Sequence, residues 1–307
     1  MHKGILSIRN GAYLRIFGIV LLIFLYAGCE DVIDVELADE PPRLIVNALM
    51  RVDTTQEFIP VKVRVSTTNN FFEEIPVTAL DRIVIVIEFE EDGIITAGVS
   101  NLAELEPGSG EYFPDPNFST DQRIPTSAIE RDLLYTLIIE HEGNRYAAQT
   151  RYVPAVPITG ITQGTGTLLN EDETEVIVRF EDDPEAENFY IFDFDFDEYL
   201  VTEDEFYQGQ EFEFSYFYDR QFESGKNIEI SILGADKTFY DYMARLLEQT
   251  EDVQNPFQTP AATVRGNVFD ITGLDNINIF DNVERPNSFP LGYFAIVQEY
   301  KQTLTIE

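Results

Sequence analysis

From residue 43 onward, apolar and polar positions alternate in short runs. In Ile59–Ser66, Val61, Val63 and Val65 point one way while Lys62 and Arg64 point the other, the period-two signature of a half-buried strand. Arg43–Met50 is a second apolar run, and Ile83–Phe89 is nearly continuous and β-branched, as in a strand covered on both faces. Ile94–Val99 follows the turn Glu91-Asp92-Gly93, and Gly108–Tyr112 sets another turn before a short aromatic strand. Leu133–Glu140 and Arg145–Val153, joined through Glu142-Gly143-Asn144, read as a hairpin. A single helical turn is expected within Ser127–Leu134. About seven short strands in this span predict an immunoglobulin-like or transthyretin-like β-sandwich over residues 43–153.

The stretch Val153–Pro157 carries two prolines, which remove backbone donors and stiffen the path, so it marks a domain boundary. Residues 158–307 are then a second, β-rich domain in which the apolar positions become aromatic. Tyr190, Phe192, Phe194 and Phe196 share one face of a predicted strand, with Asp193, Asp195 and Asp197 on the other. Phe212, Phe214, Tyr216 and Tyr218 repeat the pattern, which suggests that the two strands pair antiparallel around an aromatic core. Val176, Val178 and Phe180 alternate upstream, and Ile228, Ile230 and Ile232 downstream. The period then changes. Phe239, Tyr242, Met243, Leu246 and Leu247 fall at helical spacing, predicting one amphipathic helix over about 236–249, capped by Asp236 or Thr238 and covering a sheet face. Leu291–Val297 is a late core strand.

The N-terminus breaks this pattern. Lys3, Arg9 and Arg15 precede the ten-residue apolar run Ile16–Leu25, and Ala27-Gly28 then leads into Cys29, the only cysteine. A membrane-spanning helix needs about 20 such residues. The cationic start, short run and small residues therefore describe a secretory leader over residues 1–28. The segment resembles a bacterial lipoprotein signal, with Tyr26 standing where Leu is usual. That resemblance implies cleavage before Cys29, lipid on its sulfur and acylation of the new amine, which together hold the chain firmly in a bilayer. Residues 29–42 follow as an acidic tether closed by two prolines, with a reach of about 40 Å. Glu30-Asp31 resembles the acidic signal that sends Bacteroidota lipoproteins to the outer leaflet; a linker facing the periplasm is the alternative.

Charge narrows the partners. The leader holds three of the 20 Lys and Arg and none of the 56 Asp and Glu, leaving 17 cations against 56 acids from Cys29 onward. Such a surface repels phosphate backbones, which excludes nucleic-acid binding. With 44% hydrophobic and 13% aromatic residues the chain still has the material for a packed core, so disorder does not follow from its acidity.

Catalytic chemistry finds little support. His141 is the one histidine beyond the leader; it lies beside a turn, reads as an exposed hairpin residue and has no Gly-x-Ser-x-Gly elbow to accompany it. Zinc would want clustered His and Cys. A glycosidase-type carboxylate pair can be nominated anywhere among 56 acids, so a hydrolase is an uninformative alternative. Calcium is the candidate cation, through Asp193, Asp195 and Asp197 with Glu181-Asp182-Asp183 upstream. No other cofactor is indicated. Asn255-Pro-Phe257-Gln-Thr-Pro260 and Gly266-Asn267 could shape a ligand pocket through Asn255, Phe257 and Asn267, or simply anchor loops.

Several stretches taken in order carry a family resemblance: Cys29-Glu-Asp-Val-Ile-Asp34, Arg43-Leu-Ile-Val-Asn-Ala48, the Tyr-rich helix around Tyr240-Asp-Tyr242, Asn255–Pro260 with Gly266-Asn267, and Leu291-Gly-Tyr-Phe294. The chain resembles the Bacteroidota lipoprotein family built on the domain of unknown function numbered 4249. That resemblance implies an outer-membrane, surface-type lipoprotein encoded beside TonB-dependent receptors, and it brings no activity with it. The expected role is a non-enzymatic accessory or ligand-binding component of such a receptor, with an adhesion or structural module as the alternative.

Overall fold

A computed structural model describes residues 42–68, 77–91, 94–251, 264–274 and 289–307. Cys29 with its leader, most of the tether, Asp92-Gly93, Asn255 and Phe257 lie outside the described residues.

The chain is mainly β, as its alternation predicts. β1 (Leu44–Val52) pairs antiparallel with β2 (Val63–Thr67) and in parallel with β16 (Leu291–Thr305). β3 (Arg82–Glu91) and β4 (Ile94–Glu104) form an antiparallel pair, and β5 (Glu111–Pro114) bridges β4 to β2. β6 (Leu134–His141) and β7 (Asn144–Thr150) extend the sheet from β3, with β15 (Val268–Asp270) beyond them. The β6–β7 turn has positive φ at both Glu142 and Gly143, matching a two-residue primed turn. The expected helical turn is a 3₁₀ segment, Thr126–Glu130.

β4 serves two layers. Its residues 94–101 pair with β3 and its residues 102–104 with β5, so the strand passes from one layer to the other. Between the layers lies an aliphatic core. It takes Val46, Ala48 and Met50 from β1, Val63 and Val65 from β2, Ile83 and Ile85 from β3, Leu137 and Ile139 from β6, and Phe294 and Ile296 from β16. This is a sandwich-like arrangement, with each strand's inward residues interdigitating across the gap.

After β8 (Tyr152–Val153) the chain enters a second arrangement. β9 (Ile158–Gln163), β10 (Thr174–Glu181) and β13 (Glu211–Tyr218) form a three-stranded sheet. β11 (Phe189–Asp193) pairs with β12 (Tyr199–Glu203) and with β14 (Asn227–Ala235), and β14 pairs in turn with the second half of β16. The two aromatic strands therefore do not pair with each other, as the alternation suggested; β13 takes β10 instead. They meet face to face across the core, with ring centroids 5.0 Å apart for Phe192–Phe214 and 3.8 Å apart for the stacked pair Phe194–Tyr216. Alternation specifies which face is buried and leaves the hydrogen-bonded neighbour open.

A third cluster uses the opposite faces of the same strands. Phe189 and Ile191 of β11, Leu233 and Ala235 of β14, and Tyr293, Ala295 and Val297 of β16 pack under α1 (Lys237–Glu251) through Phe239. Asp236 caps this helix, its carboxylate accepting from the Phe239 amide at 2.7 Å. β16 thus joins all three cores. Its residues 291–298 run beside β1 and its residues 299–305 beside β14, and residues 42–307 cluster as one unit. The stretch Val153–Pro157 crosses between the aliphatic and aromatic cores and is tied to β16 by the Ala155 amide donating to Gln298 Oε1.

Candidate functional site

The strand carrying the predicted carboxylate face ends early. β11 stops at Asp193, and Asp195, Phe196 and Asp197 all adopt positive φ, so the chain turns back into β12. Three consecutive non-glycine residues in that region are unusual and must be held by their surroundings. Phe196 is held by stacking on Phe222, beneath the cations of Arg220 and Lys226. The three aspartates consequently do not share a strand face. Asp193 accepts from Arg51 and from the Asp195 amide, Asp195 accepts from the Phe196 amide, and Asp197 is exposed. Asp182, upstream, is buried, taking the Tyr190 hydroxyl at 2.7 Å and the Gly209 amide at 2.8 Å. Among the described residues no group of three or more His, Cys, Asp or Glu is spaced to hold a metal.

What forms instead is a polar cavity of 290 Å³ lined by Arg51, Asp193, Asp195, Glu229, Ser231, Glu299 and Lys301. Its centre is Arg51, near the end of the mostly apolar β1. The guanidinium donates to Asp193 Oδ2 at 2.6 Å and to Glu299 Oε1 at 3.0 Å from Nε and 2.5 Å from Nη2. Burial works against the Arg51 charge, and Glu299 and then Asp193 outweigh it, so its pKa stands above the ordinary value. The Ser231 hydroxyl donates to the same Glu299 oxygen at 2.8 Å, and Lys301 lies 3.3 Å from Glu229. Ser231 therefore meets a carboxylate already bound to Arg51, with no histidine base lining the cavity. The bonds from Arg51, Ser231 and Lys301 to these carboxylates tie β1, β11, β14 and β16 together. Arg51 and Glu299 escaped the sequence reading. Their one signal is a charge set at the end of each of two apolar runs that pair.

His141 is buried, contrary to the exposed hairpin position expected for it. The Thr78 hydroxyl lies 3.4 Å and the Glu142 carboxylate 4.0 Å from the ring, and both approach the same nitrogen, Nε2. Nδ1 has no hydrogen-bond partner among the described residues. A relay needs the nucleophile on one ring nitrogen and the orienting carboxylate on the other, and this arrangement does not supply it.

Asn267 is fully occupied by backbone. Its side-chain amide donates to Phe294 O at 2.8 Å and to Gln149 O at 3.1 Å, and its side-chain oxygen accepts the Phe294 amide at 2.8 Å. The side chain thus stitches β7 to β16 and leaves little for a ligand. Beside it, a Cβ on Gly266 would fall 1.6 Å from Gly292 O, and one on Gly292, where φ is +95°, would fall 1.9 Å from Val46 O. Only glycine permits these approaches.

The model of the family described as Domain of unknown function (DUF4249) matches residues 30–302. The chain belongs to this family. Three of the stretches that resemble DUF4249 in sequence meet at one junction: Val46 of β1, Gly266-Asn267, and Gly292 with Phe294 of β16. A fourth, the Tyr-rich face of α1, packs beside it, with the Tyr242 and Tyr293 rings 4.9 Å apart. In this DUF4249 chain those positions are therefore a packing lock where β1, β7 and β16 converge. No curated protein matches the chain in sequence. Among solved structures, one similarity is to "Structural insight into host cell surface retention of a 1.5-MDa bacterial ice-binding adhesin", at 9% identity over 64% of this chain and 60% of that one, with a TM-score of 0.16. A TM-score of that size does not establish a shared fold.

Proposed function

We propose that this DUF4249 chain is an outer-membrane lipoprotein of a Bacteroidota cell, displayed on the surface, that serves a TonB-dependent receptor as a non-enzymatic accessory or ligand-binding component. The observation that carries the reading is the position of Cys29. The sole cysteine ends a short apolar run behind three cations, and the family match begins at the next residue. Among the described residues no helix is long and apolar enough to cross a membrane; attachment in this reading comes from acyl chains on Cys29. A non-catalytic role is supported by the engagement of the Arg51 guanidinium with Asp193 and Glu299 and by the one-sided contacts of His141.

Mass spectrometry of the native polypeptide is expected to find residue 29 as a lipidated N-terminus, and Cys29→Ala is expected to release the protein from the membrane fraction. An unmodified Cys29 still joined to the first 28 residues would remove the anchor. Protease shaving of intact cells then tests the leaflet. Co-purification with a receptor from solubilised membranes tests the partner; a lipidated chain that recovers no receptor would favour the adhesion role instead.

A further inference from the structure

Among the described residues, β4 is the long strand whose first six residues the fold leaves in water. Ile94 through Val99 are all exposed, Ile94 at 69%, Ile95 at 66% and Val99 at 49%. β3 pairs with one edge of this stretch. The other edge is sealed in two steps further along. Gln122 Oε1 accepts the Asn101 amide at 2.7 Å while Asn101 O accepts from the Asp115 amide at 2.9 Å, and residues 102–104 then pair with β5. In an antiparallel strand the N–H and C=O of one residue point the same way and successive residues alternate. Both backbone groups of Asn101 point away from β3, so those of Val99, Ala97 and Ile95 do too. Among the described residues nothing pairs with them.

Natural sheets guard such edges with Lys, Pro, a bulge or a covering element. The sequence Ile-Ile-Thr-Ala-Gly-Val has no charge and no proline, and its register with β3 is unbroken. The guard that does exist, Gln122, stops at Asn101. An edge left open in this way is ready for strand addition, in which main-chain bonds supply affinity and alternate side chains supply specificity.

The surroundings of the edge select the strand it takes. Register places Glu88 opposite Ala97 and Glu90 opposite Ile95, so both acids share a face with Ile95, Ala97 and Val99. Ala97 is short, so a long cationic side chain on an added strand can pass over it to Glu88. Two copies of this chain pairing edge to edge would instead bring four such acids together on bodies that each carry a net charge of −36. We propose that the Ile95–Val99 edge is a docking site at which an extended, cationic segment of a partner protein adds as a further strand. The site does not depend on Cys29 or its lipid.

The test uses the full chain in detergent and two blocked peptides, one alternating Val with Lys and the other Val with Glu. The Lys peptide is expected to bind saturably, to slow amide exchange at Ile95, Ala97 and Val99, and to weaken as salt rises. The Glu peptide is expected not to bind. Ala97→Pro removes an outward N–H that makes no bond within the sheet, so the fold is expected to persist while affinity falls by about tenfold or more. Ile95→Lys, which places a repelling cation on the edge, is the second variant and is expected to weaken binding in the same direction. Absence of Lys-peptide binding overturns the proposal, as does equal binding by both variants or by the Glu peptide. So does a dimer whose β4 amides are already protected without peptide, which would make a second copy the occupant.

Discussion

The two halves of the sheet system solve the same burial problem with different side chains. The core between β1 and β6 is mainly aliphatic, built from Val, Ile, Leu, Ala and Met with Tyr112, Tyr135 and Phe294 set among them. The core between β10 and β11 is aromatic, built around Phe180, Phe192, Phe194, Tyr190, Tyr207 and Tyr218. Aliphatic side chains carry no polar atoms, so most of this core is satisfied by volume alone, and of its two hydroxyls Tyr112 accepts the Leu80 amide at 2.9 Å. The aromatic core must also place hydroxyls, and it does. Tyr190 donates to Asp182, Tyr218 donates to Phe194 O at 2.6 Å, and Tyr207 lies 3.0 Å from the Thr202 hydroxyl. Tyr135, in the aliphatic core, has a buried hydroxyl that meets no partner among the described residues. The lesson is that an aromatic core binds its strands through ring edges and polar tips together, which makes it more specific and more exacting than its neighbour.

The largest expected effect is alkaline unfolding. Burial pushes Tyr135, Tyr152 and Tyr207 up to about 12 from an ordinary 10.0, and burial with the nearby Asp182 raises Tyr190 further. A pKa raised in the folded state means that the neutral phenol is favoured there. The stabilisation is complete below pH 10 and is lost as pH rises through about 12. Followed together, tyrosinate absorbance and circular dichroism are expected to change in one step within that window. Tyrosines that ionised near pH 10 with the β signal intact would show that neither core shields them.

Truncating the aromatic core comes next. Phe194 is fully buried, stacks on Tyr216 and touches Phe192, Phe214 and Tyr218. Phe194→Ala is expected to cost about 3–5 kcal/mol in chemical denaturation, against roughly 0.5–1.5 kcal/mol for Ile85→Val in the aliphatic core. Comparable small losses at both sites would mean that the aromatic core collapses around a void as readily as the aliphatic one.

Legibility from sequence followed the range of the interactions. Strand faces and the helix were readable because period-two and period-3.6 patterns are local: Val61, Val63 and Val65 are buried, and Phe239 is the buried anchor of α1. Pairing was readable where a tight turn joins the strands, as in β6–β7, and not beyond it, since Phe192 and Phe214 show the same alternation whether they sit in one sheet or face each other across a core. The end of β11 was hidden for a different reason. Asp195, Phe196 and Asp197 take left-handed backbone without a glycine to announce it, held by rings and cations from residues 220–226. That turn is also why the proposed aspartate face does not form. The Arg51 centre joins residues 142 and 248 positions away, and no local pattern reaches so far. Asn267, a ligand-pocket candidate in the sequence, spends its side chain on backbone bonds to Phe294 and Gln149.

The smallest effects give the sharpest comparison, because they differ in sign. Tyr218→Phe deletes one oxygen and leaves Phe194 O buried without its donor, which is expected to destabilise by about 1 kcal/mol. Tyr135→Phe deletes an oxygen that has no partner to lose. The hydroxyl was desolvated on folding without a compensating bond, so its removal is expected to be neutral or to stabilise by up to about 1 kcal/mol. The same atom is removed in each case, so volume and ring packing cancel to first order and only the polar tip differs. If equilibrium unfolding gave both variants equal losses, the hydroxyls would not be what separates the cores, and their contrast would reduce to ring size alone.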